Sequence, residues 1–155
     1  MKKNNTHDYA ISAFMMYARA GKPKSRKILE ELKASRREYL AYTGSDKCLK
    51  IKARRMSGKT AAIRRVYLDV YAIEKALYSP ENERDKLITK CVEAVYFPIA
   101  KYGNKQGKTS GLVLKCSLDL NLSVNSVNLY LSEACKRFCE ERGLRTDGEE
   151  ELIRN

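Results

Sequence analysis

Residues Leu120 to Ala134 read LNLSVNSVNLYLSEA, and the chemistry this stretch can do is hydrogen bonding to base edges. Asn125, Ser126, Asn128, Leu129 and Ser132 fall on the outward side of one amphipathic repeat. Asn can hold adenine through two hydrogen bonds, and Leu can touch a thymine methyl. Ser123 stands just ahead of the repeat, where a hydroxyl accepts from backbone N–H groups two or three residues on and opens a helix. Asn121 falls where a tight turn needs a residue that tolerates positive φ. Val127, Leu131, Ala134 and Phe138 follow at spacings of four, three and four and make the stripe to be buried. Cys116 and Ser117, just upstream, are small enough for two helices to cross closely. The pattern predicts the turn and second helix of a helix-turn-helix.

A base-reading edge needs cations nearby, because phosphate contacts supply most of the affinity for a duplex. The formal net charge of the 155-residue chain is +12. Residues 1–78 hold 19 Lys+Arg against 7 Asp+Glu, whereas residues 79–155 hold 12 of each. A basic half of this kind points to a polyanionic partner. The phosphate-holding candidates are Lys47, Lys50, Lys52, Arg54, Arg55, Lys59, Arg64 and Arg65 in the basic segment. Lys105, Lys108, Lys115, Ser123 and Lys136 lie around the C-terminal motif. Arg36 and Arg37, beside Tyr39 and Tyr42, add to the first group.

Other chemistries find little support. His7 is the only histidine, which removes most general-base and triad chemistry. Glu30-Glu31 and Glu140-Glu141 sit among polar residues and read as solvated charges. Ser57-Gly58-Lys59-Thr60 mimics the end of a phosphate-binding P-loop, but Ala53 stands where that motif requires Gly, and no strand precedes it. Cys48, Cys91, Cys116, Cys135 and Cys139 lack the spacing of a zinc set and read as buried free thiols in a reducing cytosol. No enzyme activity, metal or cofactor is expected. The start superficially mimics a signal peptide, but its apolar run is short and Arg19 occupies the cleavage position. No run approaches a membrane span. A cytoplasmic protein with no membrane partner is expected.

The elements that must carry these residues are helical, since Pro and Gly number only 3 and 8. Asp8 is expected to cap a first helix to about Ala20, and a second starts near Ser25. Residues 46–58 read as a mobile basic loop. A third helix is expected from Lys59 to Tyr78, with Ile63, Val66, Tyr67, Val70, Ile73 and Leu77 inward. Pro80 is expected to open a fourth helix and Pro98 to end it. A polar loop from Lys101 to Lys108 then leads to the final pair. The fold class is all-α, with about six helices and a basic helical hairpin before a C-terminal helix-turn-helix. Residues 1–78 read as the basic segment, 79–144 as the helix-turn-helix region and 145–155 as an acidic tail, either as separate regions or as parts of a single domain, which the length suits.

Cys116 to Phe138 is similar to the fourth conserved region of bacterial sigma factors and to the small late-transcription activators of temperate phages. Cys116, Ser117, Leu120, Leu122, Ser123, Ser126, Val127 and Ala134 occupy the slots of their short motif. Ser126 stands for the usual Thr, and Asn128, Leu129 and Tyr130 stand where basic residues usually follow. The whole chain also resembles small helical proteins of phages and mobile elements from clostridia-like bacteria. That likeness rests on Ala13-Phe14 through Tyr17-Ala18, Val92 through Val95-Tyr96-Phe97, and Phe138 through Glu141-Arg142-Gly143-Leu144. It implies a phage-type regulator.

The expectation is therefore a sequence-specific DNA-binding transcriptional regulator that reads the major groove with its last helix, as a homodimer. The alternative is a protein-interaction module that binds RNA polymerase or a phage assembly partner. RNA binding is disfavoured, because no strand-borne aromatic platform is visible.

Overall fold

The computed structural model describes residues 5–41, 47–102 and 108–144. These form α1 (Asn5–Arg19), α2 (Ser25–Ala41), α3 (Lys47–Leu77), α4 (Glu83–Tyr102), α5 (Lys108–Leu120) and α6 (Val124–Arg142). No strand occurs among the described residues, and the chain is all-helical as its composition predicts.

The helices belong to two compact units. One is Pro23–Tyr71; the other combines α1, the end of α3 from Ala72, and α4 to α6. The sequence suggested a division near residues 78–79. Instead α1 joins the C-terminal helices, because its apolar face completes their core. Phe14 is fully buried there, with its ring 6.1 Å from Tyr96 and 5.6 Å from Phe138. Phe138 also stacks on Tyr9 at 6.1 Å. Ile73, Leu77, Ile88, Val92, Val95 and Val127 fill the remaining interior. Each such side chain contributes roughly 1.5–3 kcal/mol on burial, so this body holds most of the hydrophobic driving force of the described residues.

In the 23–71 unit, Ile28, Leu32 and Ser35 of α2 are buried, as is Val70 of α3. The Ser35 and Thr60 hydroxyls hydrogen-bond at 2.6 Å and tie α2 to α3. Ile63 and Tyr67 are half-buried, but Val66, expected inward, is exposed. A single neighbouring helix within the unit shields only a narrow stripe of α3.

Several boundaries differ from the sequence expectation. The segment 47–58, read as a loop, is the first third of α3. Its Lys, Arg, Leu, Ala and Met are good helix formers, and a run of charge does not break a helix. α1 opens at Asn5, which places Asp8 within its first turn, where a negative charge complements the helix dipole. Pro80 does not open α4. Asn82 does, its Oδ1 accepting the Asp85 N–H at 2.9 Å while Asp85 Oδ2 accepts the Glu81 N–H at 3.0 Å. Pro98 lies inside α4, which runs on to Tyr102. A proline at this point removes one helical hydrogen bond and costs about 3 kcal/mol. Burial of Phe97, Ile99 and Ala100 beside it offsets that loss.

Candidate nucleic-acid interface

The α5–α6 junction is built by local hydrogen bonds. Asn121 adopts φ 54°, and its N–H donates to the Leu118 carbonyl at 3.4 Å. The Leu122 N–H reaches back to the Ser117 carbonyl at 2.9 Å. This pair of bonds is the Schellman closure, which needs one left-handed residue after the helix. The same closure ends α1 at Gly21 and α6 at Gly143, with φ of 81° and 78°. Here Asn takes the place of Gly. The Ser117 hydroxyl, buried at the crossing, donates to the Leu122 carbonyl at 2.7 Å and fixes the chain as it leaves the turn.

Ser123 then caps α6. Its backbone is extended, with φ −73° and ψ 155°, and its Oγ accepts the Ser126 N–H at 3.0 Å. Its hydroxyl donates to the Ser126 Oγ at 2.9 Å. Ser126 is thus half-buried in the cap, less presented to a ligand than its neighbours. Val127, Leu131, Ala134 and Phe138 are buried, as their spacing predicted, with Cys135 and Cys139 beside them. On the opposite side Asn125, Leu129, Ser132 and Lys136 form an exposed stripe, and Asn128 is exposed to one side of it. Leu129 keeps 67% of its surface in solvent.

Cationic side chains on α6 are fewer than its sequence offers. Arg137 is engaged with the α4 N-terminus, its Nη2 lying 2.7 Å from Asp85 Oδ1 and its Nε 3.5 Å from Glu133 Oε1. The Glu81 N–H and this guanidinium hold the Asp85 carboxyl below the usual carboxylate range. Tyr130 lies beneath Arg84, at 5.4 Å from the ring centroid. Lys136 and, on α5, Lys115 are exposed. Residues 108–142 hold 5 Lys+Arg and 4 Asp+Glu and are close to neutral.

The excess charge lies elsewhere. Residues 23–71 hold 14 Lys+Arg and 5 Asp+Glu, a balance of +9 out of the chain's +12. Arg54, Arg55, Lys59, Arg64 and Arg65 are exposed along α3, and none forms an ion pair among the described residues. Lys47, Lys50 and Lys52 belong to the first turns of α3, and Lys108 begins α5; their side chains lie outside the described set, as Lys105 does entirely. Lys24, just before α2, and Arg26, Lys27 and Lys33 of α2 are also exposed, with Arg36 and Arg37. The first four were missed as phosphate candidates, although the local charge count already pointed to them. The candidate residues therefore lie in two sets, a base-edge set on α6 with Lys115 and Lys136 near it, and a larger phosphate set at the start of α2, along it and on α3.

One cleft of about 890 Å³ opens beside the α1 and α4 C-termini and is lined by Ala18, Arg19, Lys22, Glu93, Phe97, Pro98, Ala100 and Lys101. Two of its cations have internal tasks. Arg19 Nε donates to the Ala100 carbonyl at 3.0 Å. Lys22 Nζ lies 3.7 Å from Glu93 and 5.2 Å above the Phe97 ring. Cys91, Cys116, Cys135 and Cys139 are free and buried, as the sequence suggested, and burial pushes Cys91 and Cys135 up to about 12. Among the described residues no group of three His, Cys, Asp or Glu side chains is placed to hold a metal ion, and no helix is long and apolar enough to cross a membrane.

Comparison of the chain with protein-family models, with curated proteins and with solved structures gives no match.

Proposed function

We propose that the chain is a sequence-specific DNA-binding transcriptional regulator of phage or mobile-element type. On this reading α5 and α6 are a helix-turn-helix, and α6 enters the major groove with Asn125 and Asn128 at base edges. α2 and α3, tied by Ser35 and Thr60, form a basic hairpin whose Arg54, Arg55, Lys59, Arg64 and Arg65 hold phosphates. The observation that carries this reading is the junction. A left-handed Asn121, the Ser117–Leu122 bonds and the Ser123 cap fix the start of α6 and leave its Asn-bearing side open to solvent.

A second reading, a module that binds RNA polymerase or a phage assembly partner, draws on the near-neutral charge of residues 108–142 and the exposure of Leu129. A salt-dependent gel shift with duplex DNA separates the two. The DNA reading expects log affinity to fall steeply with log salt, because each neutralised phosphate releases counterions. Absence of any complex at about 50 mM salt, with duplex or single strand, would reject it. After selection of a preferred sequence from a random pool, Asn125→Ala and Asn128→Ala should each remove about 1–3 kcal/mol of discrimination. A preference untouched by both changes would remove α6 from the groove.

A further inference from the structure

α5 carries an apolar face that none of the described helices of its own unit covers. Leu114 and Leu118, one turn apart, keep 53% and 73% of their surface in solvent. They lie on the side opposite Val113, Cys116 and Ser117, which are buried. Two leucines exposed to this degree on one helix face mark a contact surface more readily than isolated apolar residues do.

The charges beside them say what fits. Lys115 and Asp119 are exposed, also one turn apart, and form no ion pair with each other. Read from either end, the face presents a leucine with a charge next to it, and the sign of that charge inverts: Leu114-Lys115, then Leu118-Asp119. A surface of this kind is complementary to itself when two copies lie antiparallel. A parallel two-fold contact would turn the charged flanks to opposite edges of the seam and leave Lys115 and Asp119 without each other. The inversion therefore selects a second copy in one orientation.

We infer that this face is the contact of a symmetric homodimer, with α5 of each copy packed antiparallel across a two-fold axis that passes outside the leucines, level with residues 116 and 117 along the helix. In such an isologous contact every pairing occurs twice. Leu114 meets Leu118 of the other copy, and Lys115 meets Asp119 of the other copy. This assigns Lys115 to an ion pair in place of the phosphate contact suggested by the sequence. The contact is small, which places the dimer at a dissociation constant of roughly 10–100 µM. It does not rest on the DNA reading, and its test uses no nucleic acid, so failure of one leaves the other standing.

Sedimentation equilibrium of the full chain, from roughly 1 to 500 µM, is the experiment. Wild type should show a concentration-dependent monomer–dimer equilibrium. Leu118→Glu should be monomeric throughout with an unchanged helical spectrum, because the leucine contributes little to the core. Lys115→Asp and Asp119→Lys each set like charges together twice and should weaken the dimer about tenfold. The double variant Lys115→Asp/Asp119→Lys restores opposite charges and should return to within about threefold of wild type. A monomeric wild type, a dimer that survives Leu118→Glu, or a double variant no stronger than the single changes would each overturn the inference. The charge exchange decides even where the Leu118 variant folds poorly.

Discussion

The 23–71 unit and the body formed by α1, α4, α5 and α6 divide charge from core. The first carries +9 and, among its described residues, buries only Ile28, Leu32, Ser35 and Val70. The second carries the remaining +3 and contains every fully buried large side chain of the described residues. The separation has a physical cause. Crowded like charges repel and resist being drawn together, and long cationic side chains need a solvated surface. The base-edge candidates occupy the unit with the larger core, and packing of that kind holds a surface in a fixed geometry. Most of the phosphate candidates occupy the unit with less core, where placement matters less than charge.

The contrast can be broken first at the core. Phe138→Ala, which empties the place where the Tyr9, Phe14 and Phe138 rings meet, should cost about 3–5 kcal/mol in a denaturant titration. A loss below about 1 kcal/mol would mean that the body is not the stable half.

Asp85→Asn comes next, at about 2 kcal/mol, because Arg137 then loses its nearly buried partner while remaining partly solvated. Its pH dependence gives the sign. The carboxyl is held below its unfolded value, so its stabilisation is complete above the unfolded pKa and drains as pH falls through the folded one. The stability gap between wild type and Asp85→Asn should stay level above about pH 5 and close below about pH 4. A gap independent of pH would remove the ion pair from the account.

Charge is tested by replacing Arg54, Arg55, Arg64 and Arg65 with Ala. Folding should change little, since all four are exposed. On the proposed DNA reading, the salt slope of duplex binding should fall by about 0.9 for each phosphate left without its arginine. Lys86→Ala with Lys90→Ala on α4 is the control, and an equal decrease per charge there would erase the distinction between the two units. The smallest expected effect is that of Ser123→Ala, about 1 kcal/mol from removal of the cap, seen as a lower melting temperature.

The parts legible in the sequence were those set by neighbours in the chain. Asn121, Ser123 and the Val127–Phe138 stripe announce themselves because turns, caps and helix periodicity are local. The start of α3 at Lys47 was hidden, because a polar run with a glycine at Gly58 reads as loop when helix propensity is weighed less than charge. Pro98 misled for the opposite reason: a strong local breaker was overruled by burial of its neighbours. The place of α1 against α4 and α6 depends on contacts far apart in sequence, and the Phe14 and Phe138 rings give no sign of each other beforehand. Within the candidate site, the sequence marked the exposed asparagines. It did not show that Arg137 is committed to Asp85, or that Ser126 serves the cap.

The interior thiols have a practical consequence. An alkylating reagent attacks the thiolate, and Cys91 and Cys135, at about 12, hold almost none at neutral pH. Together with Cys116 and Cys139 they should ignore iodoacetamide until the body opens. With Cys48 replaced by Ser, the rate of carbamidomethylation becomes a clock for the breathing of that body alone, read by mass spectrometry without attaching any foreign reporter.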